Sequence, residues 1–322
     1  MMSTIPVVDL QDFDAGGERR ARFTQALGEA LEDLGFVAVT GHGVDPRLLH
    51  DAYAASRAVF ALPESTKQRH ETPHDGRQRG YTSFGVEHAK DQPTPDLKEF
   101  WHVGRDLPDD HPLRQSGDVP PNQFPNQVPA FSRVMRQLFA AQEGFANRLL
   151  DAVGDYLELP PNTFRDLVAD GNSVLRVIHY PDTGEEVPAG AVRAAQHEDI
   201  NLLTVLPTST RPGLELLTRD GSWMPVQTPP DVMICDTGDM MQLITCGRLP
   251  ATTHRVVNPE TSDGGRLSMP FFLHPNPNRT LTPFFEGGAP PRLAPPRVDW
   301  RGPSPDFRGP SAERRAPSAD LR

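Results

Sequence analysis

Apolar positions in the first 70 residues alternate between strand-like runs and helical spacing. The segments "STIPVVDL" and "FVAVTGHG" are short apolar runs that predict two strands. Between them, "ERRARFTQALGEALEDLG" repeats apolar residues at three- to four-residue intervals and stops at Gly35, which is typical of an amphipathic helix with a glycine at its end. The same spacing predicts helices in "PRLLHDAYAASRAVFAL" and "PESTKQ". Residues 70–125 are polar and rich in turn residues, so mostly loops are expected there.

The second half of the chain begins with a long helix and then changes to strands. Apolar residues share one stripe from about 130 to 157, ahead of the consecutive prolines in "ELPPN", which end a helix. From residue 173, short apolar runs follow with turn residues between them: "SVLRVIHYP", "INLLTVLP", "GLELLT", "WMPVQTP", "DVMICDTG", "MMQLIT", "THRVVNP" and "RLSMPFFLHP". Such runs predict an antiparallel barrel or jelly roll. The expected fold class is mainly β with flanking helices: a double-stranded β-helix (jelly roll) core, an N-terminal α/β region and a long backing helix.

These patterns divide the chain into three regions. They are an N-terminal region packed on the core (1–125), the backing helix with the jelly-roll core (126–288), and a Pro/Arg-rich C-terminal tail (289–322). The tail holds eight prolines in 34 residues, so we expect a loosely held strap over the surface.

Charge and composition narrow the class of partner. Asp and Glu outnumber Lys and Arg by 43 to 32, a formal net charge of −11, and basic residues form no run, so no nucleic acid and no membrane is expected as a partner. The N-terminus lacks the pattern of a signal peptide, and no run approaches the roughly 18 apolar residues of a membrane helix. The two cysteines, Cys235 and Cys246, are expected to fill apolar, strand-like surroundings. We therefore expect a cytoplasmic protein.

Three ionisable residues stand at the edge of the apolar run in "RAAQHEDINLLTVL" (193–206). On a strand, His197 and Asp199 project to the same face and Glu198 to the other. His254 begins the later strand "THRVV", and a jelly roll can place strands this far apart in sequence side by side. Two imidazoles and one carboxylate leave room for a substrate and dioxygen on Fe(II), although catalytic zinc also accepts three protein ligands. A capping or hydrogen-bonding histidine is the alternative interpretation.

A second pair of polar residues lies in the strand-like segment "GGRLSMPFF". Arg266 and Ser268 are two residues apart and therefore share a face. A guanidinium binds a carboxylate through two parallel hydrogen bonds, and a neighbouring hydroxyl adds a third. The alternative is a structural arginine paired with an aspartate of the fold, because an arginine inside an apolar barrel is costly without an anion.

At this point the sequence resembles a family, the iron- and 2-oxoglutarate-dependent dioxygenases of the isopenicillin N synthase type. The resemblance is carried by "RVIHYP", "QHED", "GDMMQLITCGRLPATTHRVVNP" and "GRLSMPFFLHP", and in the N-terminal part by "IPVVDL", "LGFVAVTGHGV" and "ALPESTKQ". It covers most of residues 5–285. The family's iron ligands match His197, Asp199 and His254.

The same resemblance implies how the co-substrate is held. Arg266 and Ser268 match the R-x-S motif for the far carboxylate of 2-oxoglutarate, and Tyr180 matches a tyrosine often hydrogen-bonded to it. Many members carry N-Y-Y-P where this chain has "IHYP", so Ile178 replaces an asparagine that supports the co-substrate.

The implied function is that of an Fe(II)- and 2-oxoglutarate-dependent oxygenase, an oxidoreductase that consumes O2 and releases succinate and CO2. Hydroxylation of a small organic molecule is the default outcome, and desaturation or cyclisation uses the same site. Two alternatives remain open. One is an iron oxidase of the same fold that uses O2 without 2-oxoglutarate, and the other is a non-catalytic jelly-roll protein that binds or senses a ligand.

The polar, aromatic segment "RGYTSFGVEHAKDQPTPDLKEFWHV" is too long for a simple connection. In the family, the matching Gly-Tyr segment passes near the open face of the barrel. Tyr81 and Phe84 are therefore candidates for one wall of the substrate site, with Lys98 or Glu99 as a source of charge. The alternative is that Tyr81 and Phe84 only hold the loop against the core.

Overall fold

The structure is a computed structural model, and it describes residues 4–87, 96–182, 191–229, 231–259 and 264–285. The predicted C-terminal tail lies outside these residues. The strands are β1 (Val7–Asp9), β2 (Phe36–Thr40), β3 (Gly80–Thr82), β4 (Glu99–Gly104), β5 (Val174–Tyr180), β6 (Ala194–His197), β7 (Leu203–Pro207), β8 (Leu214–Leu217), β9 (Trp223–Pro225), β10 (Met233–Thr237), β11 (His254–Val256), β12 (Arg266–Ser268) and β13 (Phe271–Leu273). The α-helices are α1 (Leu10–Ala15), α2 (Gly17–Leu34), α3 (Pro46–Phe60), α4 (Glu64–Lys67), α5 (Pro112–Gln115), α6 (Pro129–Tyr156), α7 (Thr163–Val168) and α8 (Asp239–Ile244).

The N-terminal helices follow their predicted bounds because local signals start and stop them. Helix α2 ends at Gly35, whose left-handed backbone (φ 66°) lets its N–H bond to the Leu31 carbonyl. Asp45 caps the start of helix α3, because its side chain accepts a hydrogen bond of 2.8 Å from the Arg47 N–H. Helix α6 buries one apolar stripe against α2, α3 and the larger sheet.

The strands form two sheets that face each other. The larger sheet runs in the order β1-β2-β10-β7-β13-β5-β4-β3, with β12 also paired to β5, and the smaller runs β6-β11-β8-β9. One apolar cluster lies between the larger sheet and the helices. A second cluster, which includes Phe36, Phe100, Ile178, Tyr180 and Leu216, lies between the sheets and forms the barrel interior. This architecture confirms the predicted jelly roll with its backing helix.

The region 70–125 is mostly loop in the described residues, as predicted, but it also contains two strands of the larger sheet, β3 and β4, which the sequence pattern did not predict. Strand β4 pairs with β5 along six residues, all of them buried, including Glu99 and His102. Glu99 accepts hydrogen bonds from Lys67 and Tyr81, and His102 bonds to the Arg77 carbonyl. Buried polar residues with such partners interrupt the apolar pattern from which a strand is recognised.

The apolar segment "MMQLIT" was predicted as a strand and is instead helix α8. A short apolar run does not separate a strand from a buried helix by its period, and Gly238 begins the helix here. Cys246 follows this helix with a positive φ of 55° and is not in a strand, whereas Cys235 lies buried in β10. Among the described residues, no helix is long and apolar enough to cross a membrane.

Candidate active site

The segment 193–206 is not one strand but two, one in each sheet. Strand β6 of the smaller sheet ends at His197, and β7 of the larger sheet begins at Leu203. Asp199 lies in the connection between them, so the sequence-based placement of His197 and Asp199 on one strand was wrong. Strand β11 pairs with β6, and its first residue, His254, lies directly opposite His197. The three side chains therefore meet where the chain crosses from one sheet to the other.

The three predicted ligand residues converge on one point. Their ligand atoms all lie within 4.8 Å of one another. The Nε2 atoms of His197 and His254 lie 3.8 and 3.7 Å from Oδ1 of Asp199. The other ring nitrogen of each histidine contacts a backbone carbonyl. Nδ1 of His197 lies 2.7 Å from the Ala195 carbonyl, and Nδ1 of His254 lies 3.1 Å from the Thr252 carbonyl. A carbonyl can only accept, so each Nδ1 carries the proton and each Nε2 presents its lone pair.

The electrostatics of the site keep the His197 ring neutral. Burial, followed by the charges of His254 and Lys98, lowers the pKa of His197 to about 4, although Asp199 acts in the opposite direction. A neutral imidazole is the form that binds a metal at neutral pH. Two imidazole nitrogens and one carboxylate on one side are a donor set that suits Fe(II) and leaves its other side open.

Asp199 is oriented by neighbours that the sequence did not reveal. The Thr204 hydroxyl donates to Oδ2 of Asp199, which leaves Oδ1 to face the histidines. Asn201 donates through Nδ2 to the Thr204 hydroxyl at 3.0 Å. The Asp239 N–H donates to the Asp199 carbonyl at 2.7 Å, which holds the connection against the start of α8. The only sequence signal was a polar residue, Thr204, inside an otherwise apolar strand.

The structure places the predicted co-substrate residues on the barrel interior. Arg266 lies opposite Tyr180 in the β12–β5 pair, and its Cζ is 5.1 Å from the centre of the Tyr180 ring. Arg266 is only 2% exposed, and it donates to the Arg211 carbonyl at 3.0 Å and to the Ser209 hydroxyl at 2.9 Å. Within the described part of the chain, its buried Nη1 has no hydrogen-bond partner and no carboxylate forms an ion pair with Arg266. Ser268 lies two residues further along and is also buried.

A buried guanidinium nitrogen without a partner costs free energy unless a ligand supplies an acceptor. The distal carboxylate of 2-oxoglutarate is such an acceptor, so the residues present fit this co-substrate. Ile178, which replaces the asparagine of many members, lies opposite Ser268 and packs in the barrel interior.

The predicted substrate residues lie in different surroundings. Tyr81 is fully buried, and its hydroxyl bonds to the carboxylates of Glu64 and Glu99, so it fixes β3 to the core. Phe84 is 44% exposed. Residues 88–95 of the same segment lie outside the described residues.

The two charged candidates of that segment already have partners. The Lys98 ammonium lies 2.8 Å from carboxylate oxygens of both Glu87 and Asp96. Glu99 lies on the outer face of the larger sheet, where it pairs with Lys67 at 2.5 Å. Phe100 packs in the barrel interior, so by alternation the neighbouring Glu99 points to the opposite face of the sheet and Lys98 to the interior.

Two family models match this chain. Residues 5–127 match the N-terminal region of the non-haem dioxygenases in morphine synthesis, and residues 171–275 match the 2OG-Fe(II) oxygenase superfamily. The second range contains all three residues of the His-Asp-His cluster.

Individual relatives agree with the family models. The chain is 31% identical to a 2-oxoglutarate-dependent dioxygenase of Didymella fabae, over 77% of this chain and 78% of the relative. Among solved structures it resembles a 2OG-Fe(II) oxygenase family protein from Caulobacter crescentus, with 38% identity, a TM-score of 0.78, and coverage of 88% of this chain and 90% of the other. It also resembles JOX2 in complex with 2OG, Fe and JA, with 26% identity, a TM-score of 0.72, and coverage of 90% of this chain and 81% of the other.

Proposed function

This chain belongs to the 2OG-Fe(II) oxygenase superfamily, and from this premise we propose that His197, Asp199 and His254 hold its iron. The protein is an Fe(II)- and 2-oxoglutarate-dependent oxygenase with O2 as the oxidant. The observation that carries the ligand assignment is the convergence of the three side chains within 4.8 Å of one another, with both Nε2 lone pairs facing Asp199. The histidine–carbonyl contacts fix the two rings before a metal arrives.

The proposed co-substrate residues are Arg266, Ser268 and Tyr180. The unpartnered Nη1 of Arg266 supports this assignment, because the distal carboxylate of 2-oxoglutarate would complete its hydrogen bonding. The fully buried setting of Arg266 would exclude water from that ion pair and strengthen it. The alternative of a structural arginine paired with an aspartate loses support, because within the described residues Arg266 donates to a backbone carbonyl and a hydroxyl.

The proposed reaction is hydroxylation of a small organic molecule, with release of succinate and CO2; desaturation and cyclisation are variants of the same chemistry. When bound, the iron supplies the activation of O2 that this oxidation needs. The residues of this chain hold the metal on one side, anchor the co-substrate through Arg266 and contribute an apolar cluster to the barrel interior. Phe84 is the proposed substrate wall, supported by its exposed ring. Tyr81, the other candidate, has the contacts of an anchor for its strand.

We also propose that residues 1–125 and 126–288 act as one packed unit and that the protein works in the cytoplasm. The pairing of β2 with β10 and of β4 with β5 supports the first point, because both pairs join the two regions. Two free cysteines suit the reducing cytoplasm.

The ligand assignment is tested with the variants His197→Ala, Asp199→Ala and His254→Ala. Each removes one of three protein ligands, so we expect loss of stoichiometric Fe(II) binding under anaerobic conditions and loss of succinate release. His50→Ala is the matched control, because it removes an exposed histidine of α3, and we expect it to bind iron as the wild type does. A ligand variant that kept near wild-type iron binding and turnover would remove that residue from the set.

The reaction class is tested by measuring succinate release with a panel of candidate substrates under Fe(II), 2-oxoglutarate and O2. Succinate in a one-to-one ratio with an oxidised product supports the oxygenase. An oxidised product without succinate would favour the 2-oxoglutarate-independent oxidase.

A further inference from the structure

A second polar cluster lies inside the barrel, outside the residues proposed to hold iron and 2-oxoglutarate. Arg176 of β5 places Nη1 3.2 Å from both carboxylate oxygens of Glu87, and Lys98 bridges Glu87 and Asp96 at 2.8 Å each. The Nε–H of Arg176 donates to Nε2 of His102 at 2.7 Å. The cluster therefore contains two cations and two carboxylates, and its charges balance.

The register of the larger sheet places this cluster beside the iron site. Residues 176, 178 and 180 alternate along β5, so Arg176 shares the interior face with Tyr180, while Leu175 and Val177 pack towards the helices. Phe272 of β13, which lies under the Arg176 guanidinium, is paired with Thr204 of β7. The Thr204 hydroxyl in turn bonds to Asp199. A continuous row of interior side chains thus leads from Arg176 to the proposed iron ligand.

One edge of the Arg176 guanidinium is open. Nε and Nη1 are engaged by His102 and Glu87, and within the described residues Nη2 makes no hydrogen bond. The Cζ atom lies 4.4 Å from the Phe100 ring centre and 5.4 Å from that of Phe272. The Arg176 side chain nevertheless keeps 14% of its surface exposed. The open edge is therefore an unused donor that lies beside two aromatic rings.

The chemistry of this cluster selects for an uncharged acceptor. An added carboxylate would bring a charge into a buried site whose own charges already balance, and burying an unpaired charge is costly. A carbonyl oxygen accepts hydrogen bonds from Nη2 without that cost. Burial, followed by the charge of Arg176, holds the pKa of His102 well below its usual value, so this ring stays neutral and adds no charge.

We propose that the primary substrate is an uncharged carbonyl compound, such as an amide, lactam or ester, whose carbonyl oxygen binds Nη2 of Arg176 and whose apolar body packs along Phe272. This proposal rests on the proposed function, because the bound molecule is oxidised at the centre formed by His197, Asp199 and His254. Arg176 is the specificity-determining residue, and Glu87 and His102 position its guanidinium.

The test uses the full-length protein loaded with Mn(II) and 2-oxoglutarate, which allows binding to be measured without turnover. Two matched pairs of probes are titrated by calorimetry: benzamide against benzoate, and cyclohexanecarboxamide against cyclohexanecarboxylate. Each pair has the same body and differs in charge. We expect each amide to bind the wild type at least roughly 10-fold more tightly than its carboxylate, because only the amide keeps the cluster neutral.

Variants of Arg176 test whether its guanidinium binds the carbonyl oxygen of the amide probes. Arg176→Met keeps the stem and removes all three nitrogens, and Arg176→Lys keeps the charge opposite Glu87 but lacks the second terminal nitrogen. We expect each variant to weaken amide binding by roughly 10-fold or more. Arg133→Met, the same change at an exposed position of α6, is expected to leave amide binding unchanged. Arg176→Lys keeps the test decisive if Arg176→Met fails to fold.

Three results would overturn the proposal: a carboxylate that binds as tightly as its amide, amide binding that is unchanged in a folded Arg176 variant, or no amide binding by the wild type. The absorption band of the Fe(II)–2-oxoglutarate complex is measured on the same wild-type protein. Loss of that band would indicate failure of the proposed function, whereas an intact band with the wrong probe preference rejects only the substrate class.

Discussion

Single hydrogen bonds decide the orientation of each proposed iron ligand. Backbone carbonyls hold Nδ1 of His197 and of His254, and the Thr204 hydroxyl holds Oδ2 of Asp199. Asp199 therefore depends on a side chain, whereas the two histidines depend on the backbone. A substitution at Thr204 can therefore remove the contact to Asp199 and leave the backbone contacts of the two histidines in place.

Thr204→Val is expected to weaken Fe(II) binding by roughly 10-fold, since loss of an outer partner of a metal ligand typically costs 10- to 100-fold in affinity. Valine has nearly the same shape as threonine, so the barrel interior stays filled. Thr204→Ser keeps the hydroxyl and is expected to retain wild-type affinity. Anaerobic Fe(II) titration of both variants checks the result, and equal affinities for Val and Ser would show that the hydroxyl does not orient Asp199.

Arg266→Met tests the co-substrate site. The change keeps the stem and deletes the guanidinium, so the affinity for 2-oxoglutarate is expected to fall by about 10- to 150-fold, the equivalent of one hydrogen bond to a charged group at about 1.5–3 kcal/mol. Iron binding is expected to persist, because Arg266 contacts none of the three proposed ligands in the described structure. The readout is titration of the Fe(II)–2-oxoglutarate absorption band. An unchanged titration would contradict the assignment and favour the oxidase that does not use 2-oxoglutarate.

At the scale of elements, the start of α8 supports the connection that carries Asp199. Gly238 approaches this connection so closely that a Cβ would lie 2.3 Å from the Asn201 carbonyl oxygen and 2.6 Å from that of Asp199. Its φ of −103° is open to any residue, so only the close approach requires glycine. A local sequence pattern does not reveal this constraint, because the neighbours are more than 35 residues away in the chain.

Gly238→Ala is therefore expected to displace the connection. Backbone atoms cannot move aside as a flexible side chain does, so we expect a loss of stability of about 1–3 kcal/mol together with weaker Fe(II) binding. Gly144→Ala is the matched control: it lies in the exposed face of α6 with no atom within 4 Å of the added Cβ. This control is expected to raise stability by about 0.5–1 kcal/mol. Thermal unfolding and iron titration of both variants decide the matter; a Gly238 variant as stable as the control would contradict the constraint.

At the scale of the whole molecule, the N-terminal region completes the barrel. Strand β2 lies between β1 and β10, and β4 lies between β3 and β5 in the larger sheet. Phe36 and Phe100 from these strands fill the barrel interior. The catalytic half of the chain therefore has two open sheet edges and an incomplete core without its N-terminal partner.

A fragment of residues 126–285 is expected to lack cooperative thermal unfolding and to bind no stoichiometric Fe(II). The reason is the loss of both strand pairings and of the aromatic side chains between the sheets. Residues 1–285 together are the control, and calorimetry with iron titration compares the two. A cooperative transition of the fragment alone would show that the two regions are separable domains.

The sequence alone determined the parts of this protein that depend on local spacing. Helices α2, α3 and α6 follow from apolar residues three to four positions apart and from terminal signals such as Gly35. The jelly-roll class follows from repeated short apolar runs, and the family follows from the ordered motifs around His197, His254 and Arg266. Each individual motif or spacing is local, and the order of the motifs along the chain can be read without the fold.

Tertiary structure decided the features that depend on distant neighbours. Asp199 is a candidate ligand because its segment crosses between two sheets, and not because it shares a strand face with His197. Strand β4 is buried because His102 finds partners that compensate its polarity, and such partners are invisible to a local pattern. The aromatic surroundings of Arg176 come from Phe100 and Phe272, which are remote from it in sequence. A sequence pattern records which side chains are apolar, whereas the contacts that offset a buried charge form only when the chain folds.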